Sequence, residues 1–350
     1  MGLYLSFYLN CSEVDAKLWE KVYFECLDWL NKFPLPLSRL KKLGKGKSKR
    51  YAHSSDIVKG KGTKEECWQI NGDLMSGRYA DDFTMNRHLD VFLLEDTYDI
   101  SVYAGKSVFY ADRIAVEDPE AQYGVNIWSE FPFRTQGRPY HLALVALGIW
   151  LEQVFPGKGY LMGDFDQKQV DKVIAWMYEH TGVELMNPIL LDIGRLWHTI
   201  EAGFPIKKHA VLRFLTLWKG TEDEAYRFLI ELGHEDVLMD VLAEKLSKIS
   251  SLSRLQAITI WEAFLAATDN VDSLLDLVAR ANDKKGFRFD YADFLKQLCR
   301  EYITLNPMEK KHLDFMHPES EDMQTVDDQF FDAFKNLVGF RKHNTKVVHS

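Results

Sequence analysis

The chain has 350 residues, of which 46% are hydrophobic and 13% aromatic, and a formal net charge of −9. This length exceeds what one ordinary hydrophobic core accommodates, so it predicts two domains. The composition excludes a disordered chain, and the negative charge argues against general binding to nucleic acids.

The positive charge is concentrated in one segment. Residues 39–64 contain ten Lys/Arg and a single acid, Asp56, so this segment carries +9 and the remainder −18. The acidic remainder is compatible with a basic partner, and an ordinary solvated surface is the preferred explanation of the same charge.

Cysteine usage and hydropathy predict a cytoplasmic protein without a membrane span. The four cysteines have no CxxC spacing, so they predict neither a zinc site nor a disulfide framework. Residues 1–9 are apolar but lack the basic start and the cleavage site of a signal peptide. The apolar block 142–151 is far shorter than the ~20 residues that cross a membrane.

The first half of the chain is predicted to contain a sheet. Residues 3–9 alternate apolar and polar side chains as a strand does, and Ser12 is predicted to cap a helix that reaches about residue 32. Residues 41–64 are predicted to form a basic loop rich in glycine, and residues 78–89 are too polar to assign. Further strands are predicted at residues 67–70, 91–94, 100–103, 107–114 and 124–128.

Residues 138–182 are predicted to form a helix–strand–helix unit. Pro139 suits the first position of the first helix, where a missing N–H costs nothing. The block 141–151 is apolar on nearly all sides, which is typical of a buried helix. A short strand at residues 159–163 follows. Asp166 and Gln169 then have the spacing of a capping box, and the second helix ends at Thr181-Gly182.

After Asn187-Pro188 the pattern becomes helical throughout. Helix periodicity is found at residues 189–202, 206–218, 222–232, 235–249, 252–267, 271–281, 291–305 and 325–337. The predicted fold is therefore an α+β domain over residues 1–183, followed by an all-α domain over residues 184–340 that could consist of stacked helix pairs. Residues 341–350 are predicted to be a frayed tail.

The Gly44–Ser48 run (GKGKS) invites comparison with a phosphate-binding loop. The full motif needs another glycine with four residues between it and its Gly-Lys-Ser, and that position is Lys41. A mobile basic loop is the first interpretation. Weak binding of an anionic surface is the second, and its candidate residues are Lys45, Lys47, Lys49 and Arg50.

Two aspartates are the candidate catalytic residues. Asp73 and Asp164 each follow a predicted strand that ends in Gly-Asp. If those strands were parallel neighbours, both carboxylates would lie at one sheet edge and could perform acid–base chemistry. Two ordinary turns explain the same residues. No HxxxH, HExxH or GxSxG motif occurs, so no metal site and no cofactor are predicted.

Three segments carry a resemblance to known proteins: residues 2–11, 67–74 and 155–164. They resemble a group of uncharacterised bacterial cytoplasmic proteins, some of which look like immunity proteins encoded beside polymorphic toxins. The resemblance covers about the first 180 residues and implies no catalytic residues. The expected function is non-catalytic protein binding, with a toxin domain as the partner that the resemblance implies. The alternative is a hydrolase or nucleotide-handling enzyme that uses Asp73 and Asp164.

Overall fold

The computed structural model describes residues 3–11, 13–43, 50–89, 99–103, 113–115, 126–284, 289–292, 294–296 and 298. The chain divides into two compact units, residues 1–221 and 222–350. Strands and helices make up the first unit, and the described part of the second is helical. This arrangement confirms the predicted fold class, α+β followed by all-α. The strand predicted at 91–94 and the tail 341–350 lie outside the described residues.

The first sheet has the strand order β10-β1-β9-β7-β8, and every pairing in it is antiparallel. Its strands are β1 (Tyr4–Leu9), β7 (Asp99–Tyr103), β8 (Arg113–Ala115), β9 (Asn126–Arg134) and β10 (Gly159–Gly163). The predicted alternation of β1 is confirmed, because its odd-numbered apolar side chains from Leu5 to Leu9 are buried. β1 pairs with β10 although Leu9 and its register partner Gly159 are 150 residues apart in the chain. The sheet therefore joins distant segments of the first unit.

The second sheet corrects the prediction of a loop at residues 41–64. It consists of β2 (Leu37–Leu43), β3 (Arg50–Ser54), β4 (Val58–Lys59), β5 (Cys67–Asp73) and β6 (Tyr79–Asn86). β2 and β3 form an antiparallel pair inside the segment predicted as a loop. Lys41 on β2 and Lys59 on β4 are compatible with strands because their side chains are exposed. β6 also occupies the stretch that was too polar to assign.

In the described part of residues 1–183, three helices accompany the two sheets: α1 (Ala16–Asn31), α2 (His141–Val154) and α3 (Gln167–Thr181). Ser12, the predicted cap of α1, lies outside the described residues. Asp15 occupies the cap position instead, and its carboxylate accepts a hydrogen bond from the Leu18 N–H. The predicted capping box of Asp166 and Gln169 is confirmed at α3, which ends at Gly182 with φ 70°.

Residues 184–221 belong to the first compact unit rather than to the second. A short 3₁₀ turn (Ile189–Leu191) is followed by α4 (Ile193–Gly203) and α5 (Lys207–Leu217). The buried carboxylate of Glu152 on α2 accepts hydrogen bonds from the Ile189 N–H at 2.6 Å and from the Arg195 guanidinium at 3.2 Å. This carboxylate joins α2 to the segment that follows residue 184. Whether residues 1–183 fold as an independent domain stays a prediction.

The second unit contains α6 (Glu222–Glu231), α7 (Glu235–Ser247), α8 (Leu255–Thr268) and α9 (Val271–Asp283). α6 packs mainly on α8, and α7 packs mainly on α9, so the two successive helix pairs stack. Arg280 on α9 binds Asp236 on α7 at 2.9 Å, which links the stacked pairs at their surface. Among the described helices of both units, none is both long and apolar enough to cross a membrane.

Residues 222–350 expressed alone are expected to give a helical circular dichroism spectrum and a cooperative thermal transition. The helices of this unit bury their large apolar side chains against one another, including Leu242, Trp261 and Phe264. A longer fragment, residues 184–350, serves as the control. It lacks Glu152, the partner of Ile189 and Arg195 in the full chain, so residues 184–221 are not expected to add stability. The two fragments are therefore expected to unfold at similar temperatures. A fragment that folds only when residues 184–221 are present would place the unit boundary near residue 184.

Candidate functional site

The first predicted aspartate, Asp73, lies at the end of β5 in the second sheet. Its side chain is fully buried. One carboxylate oxygen accepts a hydrogen bond from the Ser76 N–H at 2.7 Å, and the other accepts one from the Ser76 hydroxyl at 2.6 Å. These are the contacts of an aspartate that stabilises a turn.

The second predicted aspartate, Asp164, follows β10 in the first sheet. Its carboxylate accepts a hydrogen bond from the Tyr4 N–H at 2.9 Å, and its own N–H donates to the Tyr4 carbonyl at 2.7 Å. β5 and β10 belong to different sheets, so they are not the adjacent parallel strands that the predicted pair of aspartates required. The structure therefore does not bring Asp73 and Asp164 together through adjacent strands.

The predicted anion-binding residues are not placed by the structure. Lys45, Lys47 and Lys49 lie outside the described residues, and Arg50 is described only as the first backbone position of β3. Anion binding by these four residues stays a prediction.

Two buried polar pairs resemble fragments of catalytic sites. The Ser38 hydroxyl lies 3.0 Å from His53 Nδ1, and the Thr135 hydroxyl lies 2.7 Å from His141 Nδ1. Ser38 and Thr135 are fully buried, so neither hydroxyl can reach a substrate in solution. Burial lowers the pKa of His141, which favours the neutral ring. In the described part of the chain no three His, Cys, Asp or Glu side chains are grouped to hold a metal ion.

A groove on the first unit is the strongest candidate for a binding site. It has a volume of about 620 Å³ and lies between α1 and the carboxyl-terminal ends of α2 and α3. Its aromatic and aliphatic lining comes from Phe24 and Trp29 on α1, Trp150 and Val154 on α2, and Val183 after α3. We call this feature the α1 groove. Its volume lies in the range of ligand-binding pockets, about 300–1,000 Å³.

Charged residues at the rim of the α1 groove neutralise one another. Lys21 pairs with Glu25 at 3.4 Å, and Lys32 pairs with Asp28 at 2.7 Å, each one turn apart on α1. Such exposed pairs contribute little to stability. They leave an apolar groove with a rim of mixed charge, which is the pattern of a protein interface with an apolar centre and a polar edge.

Phe24 is held in position although 44% of its surface is exposed. The Arg87 guanidinium lies 5.0 Å from the centre of the Phe24 ring, in cation–π geometry. Arg87 is itself fixed by Glu20 at 2.6 Å and by the buried Glu66 at 3.1 Å. An aromatic ring that is both exposed and fixed loses little conformational entropy on binding.

The α1 groove was not predicted from the sequence. A signal was present, because Phe24 is a large aromatic residue outside the buried stripe of α1. The other walls come from helix ends more than one hundred residues later, and periodicity along one helix cannot locate them.

Comparison with known proteins adds no relative: no family model, no curated protein and no solved structure matches this chain. The class that the fold and the groove define is an α+β unit carrying an aromatic surface groove, joined to a stack of helix pairs.

Proposed function

We propose that this protein is a non-catalytic cytoplasmic binding protein that neutralises a basic bacterial toxin domain. The observation that carries the proposal is the α1 groove, an apolar concave surface with a fixed and exposed aromatic side chain at its edge. Aromatic residues and arginine dominate the binding energy of protein interfaces. Phe24 supplies the exposed aromatic side chain, with Arg87 stacked on its ring. The largely buried Trp29 and Trp150 form part of the groove lining.

Charge supports a basic partner. Residues 222–284, the stacked helices, contain thirteen Asp/Glu and six Lys/Arg, which gives this region a net charge of −7. A field of this sign speeds the encounter with a positively charged protein before any contact forms. A toxin domain that cleaves nucleic acids needs positive charge to bind phosphates. Its surface charge is therefore complementary to the negative charge of residues 222–284.

The cytoplasmic location in the proposal is supported by the thiols. Cys11, Cys26 and Cys67 are buried thiols in the described structure. Burial raises the pKa of the Cys26 thiol, which keeps it in the unreactive protonated form. Reduced thiols in the core are typical of a reducing compartment.

The enzyme alternative has no comparable support. Asp73 and Asp164 lie at the ends of strands in different sheets, and both carboxylates are used in hydrogen bonds that hold local structure. Asn keeps one oxygen that can accept the main-chain N–H in each turn, and at position 73 its amide N–H can donate to the Ser76 hydroxyl instead. Both Asp→Asn variants are therefore expected to retain binding.

Phe24→Asp is expected to abolish protection of a bacterial host that expresses the product of the gene immediately upstream. The substitution places a charge at the apolar edge of the α1 groove, where desolvating it on binding is costly. Growth of the co-expressing host is the measurement. Tyr178→Asp is the matched control, since Tyr178 is an exposed aromatic residue (64%) on α3 that does not line the groove.

Thermal unfolding of both variants shows whether the fold is kept, and binding of the purified toxin domain separates lost affinity from lost expression. Protection that survives Phe24→Asp would remove the groove from the proposal. A neighbouring gene whose product is harmless to the host would contradict toxin neutralisation itself.

A further inference from the structure

The second sheet ends in an open edge at β3. In the sheet order β3-β2-β5-β4, β3 is the terminal strand, and in the described structure it pairs only with β2. An unpaired strand edge presents main-chain N–H and C=O groups that can accept another strand.

The register identifies which groups face outward. The Leu40 N–H on β2 donates to the Asn71 side chain on β5, so it points away from β3. Leu40 is the register partner of His53, which makes this pair a non-hydrogen-bonded one. Because such pairs alternate along an antiparallel ladder, the main-chain groups of Tyr51 and His53 point outward from the sheet. Across the described residues, neither main-chain N–H has a hydrogen-bond partner.

The sequence around this edge is basic. It places Lys41 and Lys42 on β2 and Arg50 at the start of β3, and Asp56 is the only acid from residue 39 to residue 64. Asp56 is already engaged by the buried Arg39 at 3.2 Å and by Lys41 at 3.9 Å, so one acid is shared between two cations. Two copies of such an edge repel each other, so the charge opposes self-pairing and favours an acidic strand.

We propose that the β3 edge binds an extended acidic segment of a partner protein as an additional antiparallel or parallel strand. The outward main-chain groups of Tyr51 and His53 supply hydrogen bonds, and the cations beside them attract carboxylates of the segment. Tyr51, 61% exposed, adds a side chain against which an incoming residue can pack. A nucleic acid would use the charge alone and would leave the edge hydrogen bonds unmade. This site is separate from the α1 groove and does not depend on toxin neutralisation.

The test measures binding of a fluorescent eight-residue peptide of alternating Glu and Val to the full chain. Tyr51→Pro removes one outward N–H without removing a ladder hydrogen bond, and proline is tolerated at such an edge position. Tyr51→Val, which keeps the N–H and suits a strand, is its matched control. We expect Tyr51→Pro to bind about tenfold more weakly than Tyr51→Val, the effect of one hydrogen bond.

The charge component is tested with Lys41→Glu, with Lys168→Glu on the exposed surface of α3 as a control of equal charge change. Lys41→Glu is expected to weaken the acidic peptide severalfold and Lys168→Glu to leave it unchanged at 150 mM salt. Equal affinity of Tyr51→Pro and Tyr51→Val would overturn the strand proposal, provided that circular dichroism shows both folded. Tighter binding of a twenty-residue oligothymidylate than of the peptide, unaffected by Tyr51→Pro, would overturn it in favour of a polyanion site. Absence of peptide binding at millimolar concentration would overturn it outright.

Discussion

Replacing Trp19 by Ala is expected to lower the free energy of unfolding of the first unit by about 3–5 kcal/mol. Trp19 on α1 is fully enclosed, and its ring stacks on Phe155 at a centroid distance of 5.9 Å. Its indole N–H donates to the Asn86 carbonyl at the end of β6 at 3.0 Å. The substitution therefore leaves a cavity and removes one hydrogen bond between α1 and the second sheet.

Urea denaturation of the full chain, followed by circular dichroism, measures this loss. Trp19→Phe keeps most of the ring and removes the hydrogen bond, so it is expected to cost about 1–2 kcal/mol. Leu18→Ala, one residue earlier and 38% exposed, is expected to cost less than about 1 kcal/mol. A similar cost for Leu18→Ala and Trp19→Ala would show that α1 is not held to the sheet through Trp19.

Features decided by a few neighbouring residues were predictable from the sequence. The capping box of Asp166 and Gln169 is complete within four residues, and the alternation of β1 is visible without knowing its partners. The apolar character of α2 on all sides predicted its burial correctly. In each case the energy that selects the structure comes from side chains close together in the chain.

The hairpin of β2 and β3 could not be predicted in this way. Glycine and lysine are typical of loops, but strand formation here depends on pairing, and β2 lies between β3 and the distant β5. The same limit affected Asp73 and Asp164. Their similar Gly-Asp endings suggested neighbouring parallel strands, whereas β10 pairs with β1, and β5 pairs with strands of the second sheet. Pairing partners are not encoded in the residues that terminate a strand.

The structural role of Glu152 was not predicted from the sequence. It lies in the apolar helix α2, and its partners Ile189 and Arg195 follow 37 and 43 residues later. Its second carboxylate oxygen accepts a hydrogen bond from the Leu161 N–H on β10 at 3.2 Å. One buried carboxylate thus connects α2, the first sheet and the segment leading to α4. No local pattern distinguishes it from an exposed glutamate.

Glu152 is expected to make the stability of the first unit fall as the pH rises from about 4.5 to about 7. Burial raises the pKa of its carboxyl group from 4.5 to about 7. The hydrogen bonds from Ile189 and Leu161 and the charge of Arg195 lower this pKa, but by less than burial raises it. The folded chain therefore binds the Glu152 proton more tightly than the unfolded chain does. Its contribution is complete below the unfolded pKa and is lost as the pH passes the folded pKa.

The full loss corresponds to about 3 kcal/mol, and comparison with Glu152→Gln isolates it. Gln is similar in size to Glu and does not titrate. The difference in free energy of unfolding between the native protein and the variant therefore changes with pH only through the ionisation of Glu152. Urea denaturation at intervals between pH 4.5 and pH 8 should show the native protein losing stability relative to Glu152→Gln. Glu179→Gln, at a side chain 77% exposed on α3, should follow the native curve. A constant difference between the native protein and Glu152→Gln would mean that the three donors offset the burial of the charge completely, because only then would ionisation of Glu152 leave the folded state unaffected.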